Sequence, residues 1–345
     1  MAVKDVFRIK GEGLTKSIHN PTNTGTKVGN VKAWIRQIEI ILTSNVLKKK
    51  VVFGANHNNG QDDLNISVTG KKYLSALKDA FTIRIDNLTY KEIIELISGQ
   101  YYDVEIKAGY KNAVHSIFKG SVLYISNNLG DGKTNTVIIL CASRLVAAYG
   151  QSRLNLSLNS GINLYSAINF IAKYAGINNT YIDEDFKYRF QKNRTEATST
   201  IGSWLDLLSK SNGLVVRSDF TSGADISIWS PYKKDTRLIK LNNSNVILTG
   251  GFPTLTSEGI VVHVMPTFNF MPGDTISIDN SLLNIAAETS DEVYENKGFY
   301  FDESGNYMIF ELEYDLSNRG GNFEVTIEAK ARNLITKLTG VKNNV

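Results

Sequence analysis

The chain has 345 residues, which is enough for two or three domains that each bury a core, so a multi-domain protein is expected. Hydrophobic residues make up 42% of the chain and charged residues 21%, which excludes a disordered or collagen-like protein. The 38 basic and 34 acidic residues leave a net charge of only +4, and the basic residues are scattered, so charge does not indicate direct nucleic-acid recognition.

A first strand-rich region follows a short N-terminal arm. Residues 1–30 contain Gly, Thr, Asn and Pro without apolar periodicity, which predicts the arm. Alternation with period two then predicts strands at Trp34–Leu42, Lys50–Gly54 and Leu64–Thr69. In the first of these strands, the residues that share the core face are Ile38, Ile40 and Leu42. The pattern predicts a first β-domain over residues 31–150.

The tightest basic group of the chain is Lys48–Lys50. It runs directly into the apolar residues Val51–Phe53. The group is therefore interpreted as the solvated start of a strand, or as charges that keep a sheet edge from pairing with another chain, rather than as an anion-binding site.

A short amphipathic helix interrupts the strands of this first region. Phe81–Asp86 alternates as a strand, and Thr89 follows as a candidate N-cap with Glu92 at the third helical position, which together predict a capping box. Gly99 ends the helix. The residues expected on its buried side are Ile93, Leu96 and Ile97.

Further strands complete the first region. Asp103–Ala108 resumes the alternation, Gly109–Asn112 is expected to turn the chain, and Ile117–Ile125 returns it. The Lys133–Ser143 strand follows and contains Cys141, which we expect to be a buried core thiol. A single cysteine cannot form an intramolecular disulfide, in keeping with folding in a reducing cytoplasm.

Residues 151–235 are predicted to form an α+β module. Apolar spacing indicates a helix at 161–175, ended by Gly176, and a second helix at about 199–211. Strands at Leu214–Asp219 and Asp225–Trp229 then form a hairpin.

Residues 236–335 are predicted to be a second β-domain, and 336–345 a polar tail. Pro272-Gly273-Asp274 has the composition of a tight turn, because Pro presets φ at the second position and Gly supplies positive φ at the third. The candidate strands are Val246–Leu248, Gly259–Met265, Thr275–Asp279, Tyr307–Asp315 and Asn322–Ala329.

Motifs that would carry chemistry are weak. Gly130–Thr134 resembles a phosphate loop, but Asn127 stands where the loop needs glycine, and no helix follows, so a hairpin turn is favoured. The histidines lack the spacing of zinc ligands. They are His19, His57, His115 and His263.

Three acidic groups lie in polar, loop-like contexts, where solvated turns are favoured over acid–base or calcium chemistry. These groups are Asp62–Asp63, Asp183–Asp185 and Asp302–Glu303. We therefore predict no catalytic residues, no metal ligands and no cofactor, and the residues of any binding site stay unknown.

Aromatic residues lie at the boundaries of the predicted elements, where tyrosine suits both protein interfaces and the ends of a β-barrel in the same chain. They are Tyr101–Tyr102, Tyr149 and Phe299–Phe301. The start of the sequence lacks the apolar core of a signal peptide, and no apolar run approaches the ~18 residues of a membrane span, so no membrane span is expected.

The order of several segments resembles that in a known protein family. The segments of the first region are Ile85–Leu88, Tyr102–Tyr110 and Ser116–Val122. Those of the middle module are Ser203–Leu208, Asn212–Val216 and Ile226–Trp229. Those of the last region are Gly250–Pro253, Gly259–Val262, Met271–Ile276, Tyr307–Asp315 and Phe323–Ile327. Together they resemble the tail baseplate hub proteins of long-tailed phages, the late control protein D family.

This resemblance implies an α+β, mainly β fold, in which two tube-type β-barrel-like domains flank a small helical α+β module. In this family the second tube domain can be discontinuous and include strands before residue 150. It implies a non-enzymatic homotrimer whose pseudo-six-fold ring joins the hexameric tail tube to a trimeric central spike of a contractile or other long tail. Three subunits with two tube domains each would supply the six-fold match.

The implied partners are the central spike or tail-tip protein, the tail tube or tube-initiator protein, the tape-measure protein and the baseplate wedge proteins. The implied location is the tail baseplate of the virion, after assembly in the bacterial cytoplasm. Two alternatives stay open. One is a tail-associated glycan-binding protein, and the other is a peptidoglycan hydrolase that would use Asp183 or Glu184.

Overall fold

The fold is mainly β, with three helices among the residues that the structure describes. The computed structural model describes residues 36–54, 64–75, 78–110, 113–129, 135–143, 153–174, 180–182, 195–217, 226–230, 237–241, 253–256, 259–285 and 304–331. Large antiparallel ladders combined with a few helices confirm the predicted α+β, mainly β class.

The first region contains seven strands and one helix within the described residues. The strands are β1 (Arg36–Ser44), β2 (Lys49–Phe53), β3 (Asn65–Tyr73), β4 (Ala80–Asp86), β5 (Asp103–Tyr110), β6 (Ala113–Leu129) and β7 (Asn135–Ala142), and the helix is α1 (Tyr90–Ser98). They pair antiparallel in the order β3-β4-β7-β6-β5-β1-β2. The basic group therefore lies at the start of an edge strand, as predicted, with Lys48 in the preceding turn and Lys49 and Lys50 on β2.

Alternation fixes which face of each strand is buried. In β1, the predicted core residues Ile38, Ile40 and Leu42 are all at most 1% exposed, while the side chains between them lie on the other face. Cys141 is buried in β7, as predicted, and burial raises the pKa of its thiol to about 12. Strand β5 continues through Tyr110, two residues past its predicted end at Ala108, and pairs antiparallel with β6 from Tyr110 opposite Ala113, as a turn between the two strands requires. Residues 111 and 112 of the predicted turn lie outside the described residues.

Helix α1 begins as the sequence predicts and packs slightly differently. Thr89 accepts from the backbone N–H of Glu92, whose carboxylate accepts from the N–H of Thr89, so the capping box is confirmed. Ile93 and Leu96 are buried, but Ile97 is 51% exposed, and its predicted burial was wrong. At 100° per residue, Ile97 lies 100° from Leu96, beyond the arc that faces the sheet.

A second group of elements, residues 153–229, forms what we call the helical module. Its elements are β8 (Arg153–Leu158), α2 (Leu164–Tyr174), β9 (Thr180–Ile182), β10 (Thr195–Thr200), α3 (Ile201–Ser211), β11 (Val215–Arg217) and β12 (Ile226–Trp229). Both predicted helices and the predicted antiparallel hairpin are present. The module has its own apolar core, centred on the fully buried Trp204, whose indole N–H donates to the carbonyl of Leu154 at 2.9 Å.

The last region adds seven strands of two to twelve residues. They are β13 (Leu238–Leu241), β14 (Thr254–Thr256), β15 (Gly259–Val264), β16 (Thr275–Ile278), β17 (Asn284–Ile285), β18 (Asn306–Ser317) and β19 (Phe323–Ala331), with a short 3-10 helix at Asn280–Leu282. Four of the five strands predicted here are present, and the fifth, at residues 246–248, lies outside the described residues.

Strand β18 joins the first and last regions into one sheet. Its residues 311–317 pair antiparallel with 67–73 of β3, and on its other side it pairs with β19. The sheet therefore runs without interruption from β2 at one edge to β17 at the other. A single apolar core lies under both regions and includes Phe81, which contacts Tyr314 with ring centroids 5.5 Å apart. We call the β18–β3 pairing the seam.

A β-bulge divides β18 into two halves. The register against β19 shifts between Ile309 and Glu311, so Phe310 is an extra residue, and its carbonyl accepts from the N–H of Leu74 at 3.1 Å. The half before the bulge pairs with β16, and the half after it pairs with β3. Bulges bend a strand and increase its twist. This bend suits β18, which pairs first with β16 and then with β3 along one side.

Among the described residues, no helix is both long enough and apolar enough to cross a membrane.

Candidate functional site

The residues weighed for catalysis or metal binding do not form a cluster in the described part of the chain. His115 lies on β6 and His263 on β15, where its Nδ1 is 3.2 Å from the hydroxyl of Thr326. Burial lowers the pKa of His115. Within the described ranges, no group of three or more His, Cys, Asp or Glu residues could hold a metal ion. His19 and His57 lie outside those ranges.

The three acidic groups at residues 62–63, 183–185 and 302–303 also lie outside the described residues, as do Tyr149 and Phe299–Phe301. The hydrolase alternative, which depends on Asp183 or Glu184, therefore stays a sequence hypothesis. Residues 130–134 lie outside as well, but β6 and β7 pair antiparallel on either side of them, from Leu129 opposite Asn135. This pairing is what a hairpin requires and a phosphate loop lacks.

The described site with the most specific chemistry is the contact between the helical module and the sheet, which we call the junction. Arg217, at the end of β11, donates to the carboxylate of Asp79 at 2.8 Å and to the carbonyl of Tyr73. Both charged side chains are only 3% exposed. Asp79 also accepts from the N–H of Tyr73 at 2.8 Å, and Ser75 donates to Asp206 of α3 at 2.8 Å.

A second contact of the junction uses the predicted Pro272-Gly273-Asp274 turn. The N–H of Asp274 donates to the carbonyl of Met271 at 3.0 Å and Gly273 has φ +95°, so the turn has the predicted type II geometry. A Cβ atom on Gly273 would lie 1.9 Å from the ring of Trp229, the last residue of β12. Only glycine lets the module pack this closely against the turn.

A second ion pair, which is partly buried, also holds the turn. Arg237 donates to the Asp274 carboxylate and to the carbonyl of Asn269, and the same carboxylate accepts from the N–H of Met271 at 2.9 Å. Burial raises the pKa of Asp274, although Arg237 opposes this effect. The junction thus contains one fully buried and one partly buried ion pair, and the hydrogen bonds of both pairs hold defined loops.

The face of the sheet opposite the core is polar along most of its width. Cross-strand ion pairs join Glu39 to Lys107 at 3.8 Å and Glu105 to Lys119 at 3.4 Å. Across the seam, Lys71 bonds Glu311 at 2.9 Å and Glu313 at 3.0 Å, which raises the pKa of Lys71. These exposed and half-exposed pairs each contribute little to stability, so their main effect is to keep this face hydrated.

Two exposed apolar surfaces stand out against this polar background. The first, which we call the helix stripe, consists of Tyr90, Ile94 and Ile97, spaced i, i+4 and i+7 on α1 and exposed by 73%, 47% and 51%. The second, the sheet patch, brings Tyr124 of β6 directly opposite Leu140 of β7 on the polar face. Grouped exposed apolar side chains mark interaction surfaces in soluble proteins.

Solved structures of known proteins share the overall fold of this chain. A 43 kDa tail protein of prophage MuSo2 from Shewanella oneidensis is 12% identical, with a TM-score of 0.53 over 86% of this chain and 97% of its own. A tail protein from Neisseria meningitidis is 9% identical, with a TM-score of 0.52 over 86% and 96%. The chain has the fold of phage tail proteins.

A third structure extends the likeness to a secretion machine. It is an Escherichia coli component of the type VI secretion system, described as similar to the phage T4 tail proteins gp27 and gp5. It is 11% identical to this chain, with a TM-score of 0.50 over 77% of this chain and 73% of its own. No protein-family model matches the chain, and no curated protein matches it by sequence.

The junction is the feature that sequence reasoning missed. Asp79 and Arg217 are 138 residues apart, and neither belongs to a motif. The contact between Gly273 and Trp229 was partly indicated by local patterns. The sequence predicted the turn at Gly273 and the strand ending in Trp229, but not that the two meet.

Proposed function

We propose that the chain is a structural, non-enzymatic subunit of a tail baseplate hub, in which three copies form a pseudo-six-fold ring between the tail tube and the central spike. The observation that carries this proposal is the match to two tail proteins, one of them from a prophage, along nearly the whole of their chains. This likeness concerns the fold alone. Support for the ring must therefore come from the surfaces of this chain.

The helix stripe and the sheet patch support an assembly. A lone soluble subunit that left Tyr90, Ile94 and Ile97 bare would carry an aggregation hazard, whereas a neighbouring subunit would cover them. The open edge at β2 supports the same idea, because a closed ring leaves fewer sheet edges exposed to unwanted pairing.

The proposed partners are a central spike or tail-tip protein, the tail tube or its initiator, the tape-measure protein and the baseplate wedge. The proposed location is the tail baseplate of a virion assembled in the bacterial cytoplasm. The type VI secretion likeness supports a role in the same part of a related contractile machine. No residue is assigned to chemistry in this role, since the junction holds the subunit together and the apolar surfaces hold it to its neighbours.

Native mass measurement at micromolar concentration tests the ring. We expect a species of three times the 38.3 kDa of one chain, alone or with the spike partner. Ile94→Lys should shift the population to monomer, because it places a charge in the helix stripe. The matched variant Leu207→Lys, at a 43% exposed residue of α3, should keep the trimer. A wild-type monomer under both conditions would refute the proposed ring.

A further inference from the structure

The turn between β1 and β2 contains apolar side chains where hairpin turns are usually polar. Ser44, the last residue of β1, pairs with Lys49, the first residue of β2, so residues 45–48 form the connection. Gly, Pro, Asn, Asp and Ser dominate such turns, because they adopt the required backbone angles or bond the backbone locally. Here Val46 and Leu47 occupy the middle of the turn and are 63% and 53% exposed. Both side chains therefore lie largely in solvent, away from the core.

Hydrogen bonds fix this turn and place a tyrosine beside it. The N–H of Leu47 donates to the hydroxyl of Ser44 at 3.2 Å. Tyr102, just before β5, lies next to the same end of β1, because its N–H donates to the carbonyl of Thr43 at 3.2 Å. Its side chain is 52% exposed. Three large apolar side chains are thus exposed at one end of the first β region.

Basic residues follow the apolar pair directly. Lys48–Lys50 are all exposed. Lys49 pairs with Glu95 of α1, and the other two lysines form no ion pair within the described part of the chain. The carboxylate of Asp103, also close to the turn, accepts from the amide of Asn45 at 2.7 Å. Positive charge is therefore in excess here. We call the three apolar side chains and the three lysines the hairpin tip.

Protection of the sheet edge explains the lysines of the hairpin tip but not its apolar side chains. Apolar side chains that protrude beside clustered lysines suit a surface that is apolar below and negatively charged above. A bilayer with anionic phospholipids is such a surface, because apolar groups enter the boundary between headgroups and acyl chains while basic residues bind the phosphates. The amphipathic ring of a tyrosine also suits this boundary.

A protein partner fits the hairpin tip less well. A stable protein interface buries about 800 Å² on each partner, and three side chains at the end of a hairpin supply only a part of this area. A lipid surface needs no complementary shape. It also supplies the negative charge that balances the lysines.

We propose that the hairpin tip binds the surface of a bilayer that contains anionic phospholipids, with Val46 and Leu47 at the acyl-chain boundary and the lysines on the phosphate groups. The contact is peripheral and requires no membrane-spanning segment. It uses one subunit, so it does not depend on the hub proposal. In a trimer with a single rotation axis, all three tips would lie at the same level and bind together, which strengthens the contact.

Co-sedimentation of the full-length protein with lipid vesicles tests the contact. We expect a several-fold larger bound fraction on vesicles of equal parts phosphatidylglycerol and phosphatidylcholine than on phosphatidylcholine alone. Binding should fall in about 0.5 M salt, which screens the lysines. The double variant Val46→Ser, Leu47→Ser and the double variant Lys48→Gln, Lys50→Gln should each lower binding several-fold.

The matched control is the double variant Phe170→Ser, Tyr174→Ser, which removes two side chains of α2 that are 54% and 60% exposed. It should bind like the wild type. All the substituted side chains are exposed, and circular dichroism checks that each variant folds. Absence of wild-type binding, or equal binding by the control and both tip variants, would overturn the proposal.

A fluorophore at the turn shows whether the hairpin tip itself enters the lipid. Cys141 is buried and its thiol pKa is raised to about 12, so in the variant Leu47→Cys an environment-sensitive dye should attach at residue 47 alone. We expect its emission to rise and shift to shorter wavelength on the anionic vesicles, and the dye on Tyr174→Cys to stay unchanged.

Two results of the dye experiment would contradict the proposal. One is an unchanged spectrum on vesicles that do sediment the protein, which would place the contact elsewhere. The other is the same shift without vesicles, growing with protein concentration, which would show that the tip meets a second copy of the chain. A monomer that binds the vesicles would refute the ring and keep this inference, and a trimer that does not bind them would do the reverse.

Discussion

The seam and the junction both join parts of the chain that are distant in sequence, but they do so by different interactions. At the seam, seven residues of β18 pair with seven of β3 through backbone hydrogen bonds, above a shared apolar core. At the junction, the helical module meets the sheet through the Arg217–Asp79 pair, a serine–aspartate hydrogen bond and Trp229 on a turn.

The difference teaches how strongly each part depends on the other. Interrupting the seam exposes core residues of both β regions at once, so these regions should unfold together. The junction is made of a few point contacts, and the helical module keeps its own apolar core behind them. Changes at the junction should therefore loosen the module as a unit and leave its interior intact.

The largest expected effect is that of Asp79→Ala. This change leaves the Arg217 guanidinium buried without its carboxylate, and breaking a buried pair in this way costs about 3–5 kcal/mol. Denaturant unfolding followed by tryptophan fluorescence and by circular dichroism would measure it. Glu105→Ala, which breaks a half-exposed pair with Lys119, is the control and should cost at most about 1 kcal/mol. An Asp79→Ala loss as small as the control would mean that the junction is not held by this pair.

Leu312→Ala tests the seam. Leu312 is fully buried on β18, and removing such a side chain costs about 2–5 kcal/mol. We expect the loss to appear in a single transition seen equally by probes of both β regions, such as hydrogen exchange of β4 and of β15 amides. The exposed Leu207→Ala should change stability by less than about 0.5 kcal/mol. Exchange that accelerates in one β region alone would show that the seam does not couple them.

Gly273→Ala sharpens the comparison at the second contact of the junction. The new methyl group would overlap the Trp229 ring and would occupy a residue at φ +95°, so we expect a loss of about 1–3 kcal/mol. Gly161→Ala is the control, because Gly161 has φ +83° but nothing within 4 Å. If both variants lose the same stability, backbone strain alone explains the effect and the Trp229 contact does not matter.

The smallest expected effect is a pH dependence at the first β region. Burial alone would raise the pKa of Asp86, but hydrogen bonds from Thr136, Arg84 and Asn65 outweigh it and lower the pKa. A lowered folded-state pKa gives stability that is present above the unfolded value of about 4 and lost as pH falls through the folded value. Asp86→Asn should flatten this part of the stability–pH curve in acid, as measured by urea unfolding between neutral pH and the acid limb. An unchanged curve would argue against the network.

Local patterns predicted much of the fold. The alternation in β1, the capping box at Thr89 and the turn at Gly273 were all recognised, because each depends on residues within a few positions of one another. The helices of the module were found for the same reason. The predicted domain limits at residues 150 and 235 stay predictions.

The rest depends on contacts between distant residues. β10 is a polar strand without clear alternation, and β13, β14 and β17 have at most four residues each, so none of these gave a periodic signal. β8 does alternate, with Leu154, Leu156 and Leu158 on one face, and this signal was missed. The seam and the Arg217–Asp79 pair depend on tertiary placement, which no local spacing encodes. The candidate site was therefore less predictable than the elements that build it.

The bulge at Phe310 changes the phase in which β18 must be read. Before it, the core residues Tyr307 and Ile309 have odd numbers, and after it Leu312 and Leu316 have even numbers. Strict alternation counted through the bulge would therefore assign the wrong face to the side chains of one half of the strand. One added residue thus lets a single strand pair with β16 and then with β3 while both halves keep their apolar side chains inward.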